Sequence, residues 1–256
     1  MAIRFRPELI ERIDYNERRI YFRKDAWIRR ITGSRLATVL GENRFETPFS
    51  AALGMAGIYS KYEPNKYTEA GEALEPVIRN HARANHAGLF SEGLGLSEGD
   101  EVFIEEPEPK ELCGYEHFPK GGIFGGMVDG YVHVNGRKAA VLEIKTAGDR
   151  ARWEDADGNP SVPDNYLMQA SLYAELAGLD KIVFVVGILG ERHYDDPKSW
   201  VPSAENCFAI VVPKADISGH MARAGEWRES TLGRGFTPQW TDDDLEIVRY
   251  IESNLS

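Results

Sequence analysis

The chain has 256 residues, 42% of them hydrophobic, and its 41 acidic side chains against 30 Lys and Arg give a net charge of −11. That length and apolar content suffice for a substantial core in one domain, while the acidic balance argues against indiscriminate binding of nucleic acid, whose phosphates demand Lys and Arg. Two cysteines, Cys113 and Cys207, stand far apart without ligand-like spacing, so neither a disulfide framework nor a zinc site is indicated.

The charge is unevenly spread. Residues 1–36 carry ten basic and five acidic side chains, whereas acids crowd residues 98–111 and 242–246, which predicts a polarised surface, or at its plainest a solvated amino-terminal face. The start MAIRFRPELIER lacks the apolar core of a signal peptide, and the longest apolar run, IVFVVGIL at 182–189, is only strand-sized. No membrane span is expected, and the expected location is the cytoplasm.

Residues 1–24 are charged and weakly periodic, and their pattern assigns no element. From Asp25 the chain reads DAWIRRITGSRLATVLG, in which Thr32 or Ser34 can cap a helix on Leu36, Val39 and Leu40 that Gly41 ends. With Arg29 and Arg30 just ahead, that helix start suits an anion, although a simple capped helix explains the same pattern. A second helix is predicted over 48–59, with Phe49, Leu53 and Ala56 on one side. The segment GEALEPVIRNHARANHAG, 71–88, also reads as helical. Proline is comfortable in a first turn or at a kink, so Pro76 places Glu75 near this helix's start, as a dipole partner or a metal ligand. His81 and His86 are five apart, share no helical face, and read as ordinary polar positions. Residues 101–104 are predicted to form a strand that pairs with a central hairpin.

The most informative stretch is GGIFGGMVDGYVHVNGRKAAVLEIKT, 121–146, which supplies that hairpin. Its two apolar runs, 123–134 and 138–146, flank Asn135-Gly136, a strong hairpin signal because both residues tolerate positive φ. The period of two along a strand sets Glu143 and Lys145 on one face. A three-residue loop, Asn135-Gly136-Arg137, would place Asp129 opposite Glu143, whereas a two-residue loop would turn the acids to opposite faces; we favour the former. Glu-x-Lys on a strand is common as a solvated face. Here the acid on the partner strand, the apolar flanks, and the glycines 121, 122, 125, 126 and 130 around Asp129 argue for a site. Two acids and a lysine held together suit a divalent cation and hydrolysis of a phosphodiester. His133 has the parity of Asp129 and is either near this site or an exposed strand residue.

After the hairpin, the polar residues 147–164 predict a mobile or substrate-covering loop. YLMQASLYAEL, 166–176, reads as an amphipathic crossover helix with Gln169 and Tyr173 on one face. Buried strands are expected at 181–189 and 207–212, and carboxy-terminal helices at 217–229 and 242–253.

Taken in order, ITGSRL at 31–36, Gly71-x-x-x-Glu75, VDG at 128–130, LEIK at 142–145 and Gln169-x-x-x-Tyr173 resemble the lambda exonuclease family, also called YqaJ-like viral recombinases, within the PD-(D/E)xK nuclease superfamily. The similarity runs from Trp27 to about Val212. It implies an α/β, restriction-endonuclease-like fold with a central mixed β-sheet flanked by helices, as a single nuclease domain over 1–256 with its core at about 25–215 and helices at 216–256. By this resemblance Asp129, Glu143 and the Ile144 carbonyl ligate magnesium or manganese, and Glu75 completes the metal environment or holds a second ion. Lys145 orients the attacking water and stabilises developing charge, and Gln169 braces the lysine side of the site or touches the scissile strand. Ser34 with Arg29 or Arg30 holds a 5′ phosphate, and Tyr173 stands with these DNA-contacting residues in a supporting role. Two departures are visible: the segment between Trp27 and Thr32 is shorter than is usual in the family, and Val128 replaces the proline that commonly precedes the first acid.

The implied function is a metal-dependent phage or prophage DNA exonuclease in a bacterial cell, resecting duplex ends 5′ to 3′. Linear duplex DNA is its expected partner, together with a single-strand annealing protein and a homotrimeric ring. The alternatives are a nuclease of other polarity, an endonuclease, or a catalytically silent DNA-binding scaffold.

Overall fold

The computed structural model describes residues 2–23, 26–63, 65–114, 116–119 and 121–255. Lys24 and Asp25, part of the basic amino-terminal stretch, lie outside the described residues. The chain divides into two compact units, one of Pro64–Lys120 with Gly125–Asp216 and the other of Met1–Glu63, Gly121–Phe124 and Ile217–Ser256.

The first unit is a five-stranded mixed sheet flanked by helices. Its strands are β1 (Val102–Glu105), β2 (Gly130–Val134), β3 (Arg137–Ala147), β4 (Lys181–Ile188) and β5 (Cys207–Pro213). They lie in the order β5-β4-β3-β2-β1, with β3 and β4 parallel and the other neighbours antiparallel. Two long helices belong to this unit, α1 (Lys66–Leu89) and α2 (Asp164–Ala177). The second is the crossover that a parallel β3–β4 pair requires. Ala70, Leu74, Ile78 and Ala82 of α1 pack with Val132, Leu142, Ile144, Val183 and Val185 on one side of the sheet. On the other, Ala170, Tyr173 and Ala174 of α2 pack with Val141, Ile182, Phe184 and Val186. Burial on both faces explains the near-continuous apolar text of β3 and β4. It also assigns Glu143, two residues from Val141, to the α2 side.

The hairpin differs from expectation in an instructive way. Its turn has two residues, Asn135 at φ 50° and Gly136 at φ 76°, with Val134 paired to Arg137. Left uncorrected, that loop would separate the acids. A β-bulge intervenes: His133 pairs with Lys138 but Val132 with Ala140, so Ala139 is the extra residue on β3. Beyond it Gly130 pairs with Leu142, and the register carries Asp129 to the position facing Glu143. The favoured loop length is thus corrected while the juxtaposition it was meant to produce is kept. His133, about 13 Å farther along its strand, is occupied by Glu105 at 2.5 Å.

Helix α1 also starts earlier than its sequence suggests. The Asn65 side chain accepts from the Tyr67 and Thr68 N–H groups, and the Thr68 hydroxyl stands 3.3 Å from the Asn65 nitrogen, a reciprocal cap. Glu75 is therefore mid-helix, and Pro76 lies inside it. Proline deprives the Glu72 carbonyl of its helical donor, but Glu72 is exposed to water while Leu74 and Ile78 on either side are fully packed, so tertiary burial overrides the local penalty.

In the second unit, Ala2–Phe5 pairs antiparallel with Tyr59–Tyr62, and Ile10–Asp14 with Arg19–Phe22. The charged amino terminus is thus β-structured, with Ile20 and Phe22 buried beside it. The helix expected over 48–59 is shorter, Pro48–Met55, capped by Thr47, and the chain then enters the Tyr59–Tyr62 strand. Helices Ser218–Ser230 and Leu245–Ser253 occupy the carboxy-terminal part.

Gly130 marks a tight point beside the site. A Cβ added there would lie 2.9 Å from the Glu105 carbonyl oxygen and 3.1 Å from a Leu142 methyl group. Gly130→Val is expected to cost about 1–3 kcal/mol by overpacking, read as a lower denaturant midpoint with an unchanged m-value.

Candidate active site

Asp129 sits just ahead of β2 and bends towards β3, where its Oδ2 accepts from the Ile144 N–H at 2.7 Å. Its own carbonyl accepts from Arg79 Nε at 3.0 Å. Glu143 is 1% exposed. Its Oε1 accepts from Lys145 Nζ at 2.6 Å and from Gln169 Nε2 at 2.8 Å, the latter reaching down from α2. Its Oε2 is buried with no hydrogen-bond partner among the described residues. The Lys145 ammonium lies 5.1 Å from the centre of the Tyr166 ring. That ring stacks on buried Trp153 at 5.5 Å with planes 14° apart. Glu75 approaches from α1, ion-paired to Arg79 one helical turn later.

Burial pushes the Glu143 carboxyl from its ordinary 4.5 up to about 7; Lys145 pulls the other way, and Asp129 and Glu75 add to the rise. Glu75 is raised for the same reasons, burial first and Asp129 second. Burial by itself would lower Lys145, but Glu143 and Asp129 outweigh it and hold the ammonium above its ordinary value. Two carboxyls whose ionisation burial and neighbouring acids hinder, one of them with an orphaned buried oxygen, stand beside Asp129 as donors suited to a hard divalent cation. The Asp129 and Glu143 carboxyl groups therefore fit such an ion, with one Glu143 oxygen unpartnered among the described residues. Among the described residues no three His, Cys, Asp or Glu side chains converge on a single point. Glu75 is drawn aside by Arg79, and one oxygen of Asp129 by a backbone N–H. A cavity of about 650 Å³ opens beside the group, lined among others by Glu75, Asp129, Lys145, Arg152 and Tyr166.

Asp129, Glu143, Ile144, Lys145, Glu75 and Gln169 thus meet within one unit. Tyr173 does not join them as a DNA-contacting residue. It is 4% exposed and stacked on Phe118 at 5.8 Å, so it supports α2 against the sheet and presents no surface to a ligand. In the other unit, Thr32 precedes the helix Gly33–Val39 without a side-chain cap bond. Its hydroxyl instead lies 3.0 Å from that of Ser34, so neither of the expected caps is formed by a side chain. Arg30 Nε donates to the Gly122 carbonyl at 3.0 Å, and Arg29 is exposed. Sequence reading passed over Arg79, Tyr166 and Trp153. Arg79 had a signal, its i+4 spacing from Glu75; the two aromatics had none, because their stacking crosses from loop to helix.

Comparison with known proteins adds four findings. The YqaJ-like viral recombinase domain matches residues 22–180. The uncharacterized protein MG373 of Mycoplasma genitalium is 26% identical over 254 residues, 90% of each chain. Its homologue in Mycoplasma pneumoniae is 26% identical over 269 residues, again 90% of each. Among solved structures, an alkaline exonuclease from Laribacter hongkongensis has the same fold at a TM-score of 0.50 and 18% identity, covering 90% of this chain and 97% of that one.

The electrostatics predict an unusual pH dependence. Folded Glu143 keeps its proton at pH values where the unfolded chain has released it, so its contribution is full below the ordinary 4.5 and is lost as pH rises through about 7. Lys145 changes nothing in that window, because its contribution is lost only above the ordinary 10.5. The melting temperature of metal-free protein should therefore fall on going from about pH 5 to pH 8. Glu143→Gln should flatten that slope, and added magnesium or manganese should raise the melting temperature most at the upper end.

Proposed function

We take as premise that this chain belongs to the YqaJ-like viral recombinase domain family, and propose that it is a phage-type, metal-dependent DNA exonuclease that hydrolyses phosphodiester bonds from the 5′ ends of linear duplexes. The observation that carries this reading is the buried Glu143–Lys145 pair, with one Glu143 oxygen orphaned and Asp129 alongside. A scaffold that only bound DNA would gain nothing from burying such a group.

Asp129, Glu143 and the Ile144 carbonyl would hold a magnesium or manganese ion, which supplies Lewis-acid polarisation of the phosphate and a lower pKa for the attacking water. The chain's own residues do the rest. Gln169 fixes the Glu143 carboxylate through Oε1, leaving the buried Oε2 without a hydrogen-bond partner among the described residues. Lys145, permanently charged at working pH, orients the incoming water and stabilises the negative charge that grows on the phosphoryl oxygens. The Tyr166 ring, backed by Trp153, lies 5.1 Å from that ammonium and steadies it at the cavity's edge. The Ile144 N–H holds Asp129 in a single orientation, so its second oxygen is available.

In this reading residues 1–256 serve as one nuclease domain, and Ser34 with Arg29 or Arg30 receives the 5′ phosphate. The product strand passes to a single-strand annealing protein, and a homotrimeric ring lets an acidic chain retain DNA by enclosing it. Magnesium or manganese serves as the ion, in the cytoplasm of a bacterial cell. No helix among the described residues is long and apolar enough to cross a membrane.

The direct test is digestion of linear duplexes bearing 5′ phosphate or 5′ hydroxyl, labelled at each terminus, with magnesium or with chelator. Magnesium-dependent loss from phosphorylated 5′ ends is expected. DNA that is bound but never cut with either metal would establish the silent scaffold instead. Lys145→Ala should lower the cleavage rate by about 10²–10³-fold while DNA binding in chelator, read by fluorescence anisotropy, stays as in wild type.

A further inference from the structure

Arg79 touches both Glu75 and Asp129, and its side chain is 4% exposed, a burial that arginine tolerates only when its donors are used. They are used here. Nη2 pairs with the Glu75 carboxylate, Nε donates to the Asp129 carbonyl at 3.0 Å, and Nη1 reaches Glu106 at 3.4 Å. Glu106 is gripped a second time by Arg83 at 3.3 Å, and Arg83 also bonds the Ile104 carbonyl at 3.3 Å. The guanidinium is thus anchored on one side by the Asp129 backbone carbonyl and on another by Glu106, which does not line the cavity, and its third side holds Glu75, which does.

This arrangement sets a competition. A guanidinium does not lose its proton in a protein, so Glu75 already has a counter-ion before any metal arrives. Glu143 is different, since one of its oxygens has no partner among the described residues, and Asp129 has only one oxygen engaged by Ile144. An incoming cation meets two acids with coordination to spare and a third that must first part from Arg79.

Resting on the metal-dependent reading above, we propose that Arg79 is a positioning residue that reserves Glu75, so that the site loads divalent cation in two unequal steps: a first ion through Asp129 and Glu143, and a second, weaker one that has to displace Arg79 from Glu75. The same anchored guanidinium keeps the Asp129 backbone in place whichever partner Glu75 has.

The test is a manganese titration of the full-length protein without DNA, following loss of the free-ion signal by electron paramagnetic resonance. Wild type should bind one ion tightly and a second much more weakly. Arg79→Met should tighten the second step by about tenfold or more, the scale of losing an opposite charge in direct contact. Arg79→Lys, which keeps a cation at the same helical spacing, should restore the inequality. Glu75→Gln should abolish the second step in both the wild-type and Arg79→Met backgrounds. The proposal is overturned if Arg79→Met gives the wild-type isotherm, or if a variant shown by circular dichroism to be folded loses both ions. If Arg79→Met fails to fold, Arg79→Lys with Glu75→Gln decides: a second step in Arg79→Lys that survives Glu75→Gln unchanged also overturns it. Wild type that binds no manganese at all would remove the metal-dependent reading itself, an outcome distinct from any failure confined to the variants.

Discussion

The Glu143 carboxyl group on the central strand of the sheet is 1% exposed, and burying a charge there without full compensation forfeits several kcal/mol of hydration. Glu143 is partly compensated by Lys145 and Gln169, and only on one oxygen. Much of the surrounding structure reads as support for that arrangement. Apolar packing on both faces of β3 fixes the strand, α2 delivers Gln169 from above, and the Trp153–Tyr166 stack walls the lysine. Removing any single partner would leave a buried group uncompensated, which is why substitutions here act on the chemistry and on stability together.

The second constraint is register. Asp129 and Glu143 come from neighbouring antiparallel strands, and a slip of one residue would send one of them to the opposite face. The Asn135-Gly136 turn prefers the wrong register for the site, and the bulge at Ala139 corrects it. Hairpin closure and site assembly thus have different demands on the same two strands, and a single unpaired residue reconciles them. Bulges are found where a side chain must be re-aimed, and here the re-aimed group is an acid.

Charge balance is the third. Glu75, Asp129 and Glu143 meet Lys145 and Arg79, the lysine on β3 and the arginine on α1. The two cations are not equivalent. Lys145 borders the cavity and can meet a reacting group, whereas Arg79 is enclosed and acts only through the acids it holds. Burial first, and the neighbouring acids after it, raise the carboxyls of both Glu75 and Glu143, a strain that a cation relieves on arrival.

Much of this was legible in the text of the chain. Alternation and the Asn-Gly pair located the hairpin, the Glu-x-Lys spacing put two side chains on one face, and the long apolar run marked β4 as buried, because these patterns depend on strand geometry that residues carry locally. β5, expected to be buried as well, is instead the edge strand of the sheet, with Cys207 and Ile210 buried and its other residues half-buried or exposed. The fold class and the meeting of Asp129, Glu143, Lys145, Glu75 and Gln169 in one unit followed from such patterns together with family resemblance. What the tertiary structure decided was everything in which distant packing outweighs local preference. Pro76 sits inside a helix because Leu74 and Ile78 are buried on either side of it. Tyr173 is core because Phe118 lies against it, and the helix start at Gly33 goes without a side-chain cap because Thr32 turns to Ser34. The loop length was misread because a bulge has no sequence signature of its own: it exists only where two strands, each regular alone, must agree on which residues face each other.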